Sequence, residues 1–335
     1  MAKINNIKKF RQRFVKDYNL PINIFDDTLF EYYIQLYDFF PYLRYKEAIE
    51  KIENEYDGCV EKWLEYCASV RDNAINGVME TDEYKNFNTM DLSQYNFTPI
   101  CGERSCYTEE TNGKRFLSID LKKANFQALK YVGVISDVTY EQFIHRFGGD
   151  DYIANSKYLR QVIFGKMNPS RQIKIEKYLM FKVYETIKDV TEKYGLTIFS
   201  MNSDELIFEI PKEFYDNWLI DFENSCELEN DIYDLENARE LTNDIYDLVG
   251  ENIGVEIKVE YVEIKRLPIV SANGTKIDAY ERTNIFTNQK TLKKASTTFY
   301  PQIYRLWNEM LIEDNDMVFY FENQLATFNQ ELRYE

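Results

Sequence analysis

Between Leu196 and Pro211 two short apolar runs, Leu196–Phe199 and Leu206–Ile210, enclose the polar stretch Asn202-Ser203-Asp204-Glu205. Both runs are rich in β-branched and aromatic residues, so the segment predicts a hairpin with Asp204 and Glu205 at its tip. Two adjacent carboxylates repel by about 4 kcal/mol when held about 4 Å apart in a half-buried site. A divalent cation relieves that strain, so this hairpin constrains both the fold and the chemistry of the chain.

A second acid stands upstream. Residues 114–129 read as a strand ending at Asp120, followed by a helix with Ala124, Ala128 and Leu129 on one face. An acid at the end of a strand, beside the backbone carbonyl of Leu121, suits Mg²⁺, which takes a few hard oxygen ligands and keeps waters. The competing reading of Asp120 is a helix cap, because aspartate is favoured there. Between the two acids, Lys157, Arg160, Lys166, Arg171, Lys174 and Lys177 stand against one acid, Glu176. Arg160 and Phe164 are four residues apart and share a face of a helix through 157–177. From there a cation could grip a triphosphate while the ring packs on a base; the alternative is a solvated basic face with an apolar underside.

Taken in order, these three segments resemble motifs A, B and C of family A DNA polymerases. Ser203-Asp204-Glu205 with Phe208-Glu209-Ile210-Pro211 is similar to motif C, with serine where the family has histidine. Asp120 with Asn125 five residues on resembles motif A, although the family carries a bulkier acid at the second position. Arg160 followed by Phe164-Gly165 resembles motif B, with Asn168 and Pro169 where the family has tyrosine and glycine. Phe143-Ile144-His145 is similar to the element before motif B without its aspartate. Gly254–Val262 takes the place of the closing palm strand, and Gly102–Tyr107 resembles the segment leading into motif A.

The resemblance covers roughly residues 100–265. It implies an α+β fold, in which a palm of antiparallel sheet with packed helices fills 100–265. A helical, thumb-like region would precede it at 1–99, and a mostly helical C-terminal extension would follow at 266–335. The stretch between motifs B and C is short, so the fingers would be much reduced. Asp120, Asp204 and Glu205 would be catalytic, with Asp120, Asp204 and the Leu121 carbonyl holding Mg²⁺ or Mn²⁺. Arg160, Phe164, Asn125, Lys157, Lys166 and His145 would meet the nucleotide. The expected activity is template-directed nucleotidyl transfer onto a nucleic-acid primer from nucleoside triphosphates. The alternatives are an RNA-making or template-independent nucleotidyltransferase, and an inactive palm serving as a binding subunit of a replication or host-interaction complex.

Composition sets the outer limits. The 335 residues are 44% hydrophobic, with 27 Tyr and 23 Phe against 12 Gly and 7 Pro, which argues for a dense, element-rich globule. Apolar spacing predicts helices through Leu29–Tyr45 and Ala48–Val70, with Trp63, Leu64 and Cys67 on one face. No apolar stretch reaches membrane-spanning length, and residues 1–16 lack the apolar centre of a signal peptide, so a cytoplasmic protein without membrane partners is expected. Five cysteines without paired spacing read as reduced thiols. His145 is the only histidine, which excludes multi-histidine metal chemistry and leaves carboxylates as the main reactive groups.

The net charge of −17 runs against a nucleic-acid partner, but the distribution is uneven. Residues 1–16 hold six basic side chains and no acid, whereas 221–251 holds eleven acids and one arginine. That acidic stretch, with its near repeat at Asn230–Leu235 and Asn243–Leu248, reads as a solvated helical insertion or as a docking face for a basic protein partner. The 266–335 tail is a second candidate for a partner or template surface.

Overall fold

A computed structural model describes residues 4–37, 39–211, 231–322 and 324–335. The first hundred residues are helical as expected: α1 (Ile7–Tyr18), α2 (Asp27–Tyr37), α3 (Phe39–Glu55), α4 (Val60–Met79) and α5 (Asp82–Thr89). The helix expected through Ala48–Val70 is two helices. Asp57 and Gly58 turn the chain at positive φ, and the Gly58 N–H closes the end of α3 on the Ile52 carbonyl. Trp63 and Cys67 are buried on one face of α4, where Trp63 meets Phe10 of α1 edge to face. Asp17 at the end of α1 is fully buried. Arg13 donates to it, as do the hydroxyls of Tyr152 and Ser156 at 2.8 and 2.6 Å, which ties α1 to the centre of the chain.

Six antiparallel strands form the main sheet: β1 (Lys114–Leu121), β2 (Thr197–Met201), β3 (Glu205–Glu209), β4 (Ile257–Arg266), β7 (Tyr280–Asn284) and β8 (Lys290–Lys293), in the order β2-β3-β1-β4-β7-β8. Short strands complete two small sheets: β5 (Ile269–Val270), β6 (Lys276–Ile277) and β11 (Arg333–Tyr334) in one, β9 (Val318–Phe321) and β10 (Gln324–Thr327) in the other. Leu117, Ile119, Leu121, Leu206, Phe208, Ile257 and Tyr261 alternate along the main strands and are buried. They face the helices α6 (Ala124–Tyr131), α10 (Pro169–Lys193) and α11 (Asp231–Asn252). The opposite face carries a smaller apolar cluster of Cys106, Phe116, Ile207, Val262, Ile264 and Tyr280, and beyond it a polar stripe. Period-2 alternation with one face on helices is the form an antiparallel sheet takes when its other face stays open.

Three expectations need correction. The basic segment is not one helix. Preceded by α7 (Tyr140–Arg146) and α8 (Asp151–Asn155), α9 (Lys157–Gly165) stops before α10 begins. Asn168 sits at φ +57° and Pro169 opens α10, where its missing N–H costs nothing. Nor is the described part of the acidic stretch a solvated insertion. In α11 Ala238, Leu241, Ile245 and Val249 repeat every three or four residues and are fully buried; residues 221–230 lie outside the described residues. Finally, the tail carries more strand than helix, with β5 to β11 and one α-helix, α12 (Tyr300–Trp307), among its described residues. The boundary at 265 cuts through β4, and β7 and β8 continue the main sheet from it. Asn284 makes that hairpin by accepting the N–H groups of Phe286 and Thr287 on its side chain, a local turn chemistry that needs no helix period.

Among the described residues no helix is long and apolar enough to cross a membrane. Cys59, Cys67, Cys101 and Cys106 are free thiols.

Candidate active site

The two acidic segments meet on the central strands. Asp120 lies directly opposite Glu205 of β3 on one side and Lys258 of β4 on the other. Residues opposite one another in an antiparallel pair project to the same face, so these three share the open face of the sheet. The Leu121 N–H donates to the Asp204 carbonyl at 2.7 Å, which holds the hairpin tip against the end of β1. The turn closes through the Asn202 N–H on the Glu205 carbonyl at 2.8 Å. Asp204 is exposed, whereas Asp120 and Glu205 are half-buried. Ser118, two residues before Asp120, donates its hydroxyl to Glu205 Oε1 at 2.6 Å and fixes that carboxylate.

Burial, then Asp204, then Glu205 push the Asp120 carboxyl up to about 6, while Lys258 and Arg282 pull it back. The shift expresses burial first and repulsion by the neighbouring carboxylates second, opposed by two cations. Asp120 is not a helix cap: the capping position of α6 is Lys123, in the left-handed region.

Glu176 joins this cluster and was hidden in the sequence as the single acid of a basic run. It projects from α10 and is buried; burial and then Asp204 push its carboxyl up to about 7. Asn125 Nδ2 donates to Glu176 Oε1 at 2.6 Å, so the amide of Asn125 is engaged with an acid beside the site.

Among the described residues no three His, Cys, Asp or Glu side chains stand close enough to cage a cation unaided. The donors present still fit Mg²⁺ or Mn²⁺ in their chemistry. Mg²⁺ characteristically takes one or two carboxylates and completes its shell with water and substrate phosphate, and Asp120 carries the uncompensated charge such an ion would relieve.

The residues expected to meet a nucleotide fare differently. The Arg160 guanidinium lies over the Tyr140 ring, 5.9 Å from its centre. Lys157 and Lys166 are exposed at the two ends of α9. Phe164 is 1% exposed, with its ring against Tyr140 and Phe143, so it is a core residue without a free face for a base. His145 is occupied in its own loop, Nδ1 at 2.9 Å from the Gly149 carbonyl and Nε2 at 3.4 Å from Asp151. Its expected nucleotide contact gives way to that local clasp.

Cations that the sequence pattern did not single out line the same face. Lys258 and Arg282 both pair with Glu260, at 2.9 and 3.2 Å, and Lys293 of β8 lies nearby. The alternation of Gly254–Val262 was a usable signal for Lys258 and Glu260. Arg282 and Lys293 had none, because their position depends on the pairing of β7 with β4.

The chain matches no protein-family model, no curated protein and no solved structure.

Proposed function

We propose that this chain catalyses nucleotidyl transfer, as a small template-directed DNA polymerase with a palm-like site. The observation that carries this reading is the register of β1 with the β2–β3 hairpin. It sets Asp120 and Glu205 opposite one another on the open face of a helix-backed antiparallel sheet, with the backbone of Asp204 held against the end of β1. Asp120 and Asp204 are the residues we assign to holding divalent cations, with the Leu121 carbonyl as a further oxygen. Bound Mg²⁺ or Mn²⁺ would lower the pKa of the attacking primer hydroxyl and neutralise the leaving pyrophosphate.

The chain's own residues then divide the work. Ser118 keeps Glu205 at the rim of the site. Arg160, steadied on Tyr140, is the α9 cation assigned to the triphosphate, with Lys157 and Lys166 from the same helix and its end. Asn125, tied to Glu176, is the residue assigned to the sugar. Phe164 and His145 have no part in this scheme.

The test is extension of a labelled primer, alone and annealed to a template, with Mg²⁺ or Mn²⁺ and either dNTPs or NTPs. Template-directed growth is expected from the wild type and none from Asp120→Ala or Asp204→Ala, both of which should remain folded. Undiminished extension by either variant ends the assignment. Preference for NTPs, or growth without template, moves the chain to an RNA-making or template-independent nucleotidyltransferase.

A further inference from the structure

Beside the carboxylates the sheet gathers positive charge of which one acid takes only a part. Glu260 is the shared partner on this face: it takes Lys258 at 2.9 Å, Arg282 at 3.2 Å and the Asn284 amide at 3.3 Å. Lys293, on β8, is half-buried, yet its ammonium makes no ion pair with any described residue. Burial, Arg282 and Lys157 all disfavour its charge, and only Glu260 and Glu205 favour it. Lys157 is equally without an ion-pair partner among the described residues, and it comes from a different element. Its position is set from behind. Ser156 caps α9 through the Leu159 N–H at 3.0 Å and donates to the buried Asp17 at 2.6 Å.

The acids Asp120 and Glu205, with Asp204 beyond them, therefore lie near three cations: Lys157 and Lys293, without an ion pair to any described residue, and Arg282, which shares the single carboxylate of Glu260 with Lys258. A ligand that carries phosphate oxygens to the cations while its metal sits on the acids satisfies both. Arginine and lysine are the side chains suited to this, since charge-assisted bonds to phosphate are among the stronger polar contacts.

We infer that Lys157, Arg282 and Lys293 form a phosphate-binding station built from α9 and the β7–β8 hairpin, taking a phosphate group of the substrate. The inference rests on the nucleotidyl-transfer reading for the identity of that substrate. It also gives the tail a role, because two of the three cations come from beyond residue 265. The phosphate belongs either to the nucleoside triphosphate or to the nucleic-acid backbone, and the experiment separates the two.

Binding of inorganic tripolyphosphate and of a labelled single-stranded oligonucleotide is measured for the full chain in EDTA, so no activity is needed for the readout. Lys293→Gln and Lys157→Gln are compared with wild type and with Lys85→Gln on α5 as a control. The two test variants lie on different elements, so a folding defect in the hairpin cannot account for both. Each is expected to weaken one probe by about tenfold, the loss of one charge-assisted bond, while Lys85→Gln leaves both unchanged. If the oligonucleotide is the probe affected, the slope of log affinity against log salt also flattens by about 0.7 for each phosphate no longer neutralised. Weakened tripolyphosphate binding identifies the triphosphate as the source, and weakened oligonucleotide binding identifies the backbone. Wild-type protein that binds neither probe, or variants that bind both as wild type does, overturns the station. Primer extension that survives such a result leaves the proposed activity standing. Lysine-dependent binding without extension keeps the station and removes the activity.

Discussion

The Asp120 carboxyl holds its proton more tightly in the folded chain than in the unfolded one, because burial, Asp204 and Glu205 disfavour the charge. Its ordinary value of 3.8 rises to about 6. A raised carboxylate works against the fold once it ionises: the site is most stabilising below the ordinary value, and that stability drains away as pH climbs through about 6. Asparagine mimics the protonated acid at every pH. Without added metal, Asp120→Asn should therefore melt higher than wild type at pH 8, and the gap should narrow on titration toward pH 5. The same substitution is expected to abolish primer extension. Thermal melts in EDTA across that range test the idea, and a variant no more stable than wild type at pH 8 would sink it. Such opposition between stability and activity is what a site kept for chemistry should display.

Among the helices, α9 shows how one residue can pass from site to core. The four-residue spacing of Arg160 and Phe164 was correctly helical, and it left open which face of the helix met solvent. Phe164 faces inward on Tyr140 and Phe143, so Phe164→Ala should cost about 3–5 kcal/mol of stability. Chemical denaturation measures that loss. The KM for nucleotide, taken at a temperature where the variant is folded, should stay unchanged; a raised KM with intact stability would restore the ring to the site. What was legible in the sequence had local causes. The alternation in β1, β2 and β3 and the apolar stripes of α1 to α5 follow from neighbours a few residues apart. The break at Asn168 and Pro169 was locally written too, but the run of basic residues across it masked the change of axis. Other positions had non-local causes. Glu176 became a site residue only when α10 packed beneath the hairpin, and Arg282 and Lys293 only when β7 paired with β4. In α11 seven acids stand out among 22 residues, while Ala238, Leu241, Ile245 and Val249 are the positions that pack against the rest of the fold.

Across the whole molecule, the tail fastens the first helices to the far side of the sheet. Tyr33 donates to the Asn315 carbonyl at 2.7 Å, and Tyr304 to the Tyr37 carbonyl at 3.3 Å, which joins α2 to α12 and the turn after it. At the centre of this join Asp316 is fully buried, accepting from Arg305 Nε at 2.9 Å, the Tyr32 hydroxyl at 3.0 Å and the Glu313 N–H at 2.9 Å. From α12 the link continues, because Trp307 Nε1 donates to Glu281 of β7, the neighbour of Arg282. Removing Asp316 leaves Arg305 with Glu313 as its remaining carboxylate and strips the buried acceptor from its donors, a change that costs about 1–3 kcal/mol. Asp316→Ala should lower the denaturation midpoint accordingly, whereas Lys62→Ala, which breaks an exposed pair with Asp57, should leave it close to that of wild type. The destabilisation should also appear at a distance. In hydrogen exchange the amides of β7 should lose protection in Asp316→Ala before those of β3, since β7 depends on the α12 clasp and β3 is held by β1 and β2. Equal loss in both strands would mean that the sheet opens as one unit and that the join does not steady the β7–β8 cations.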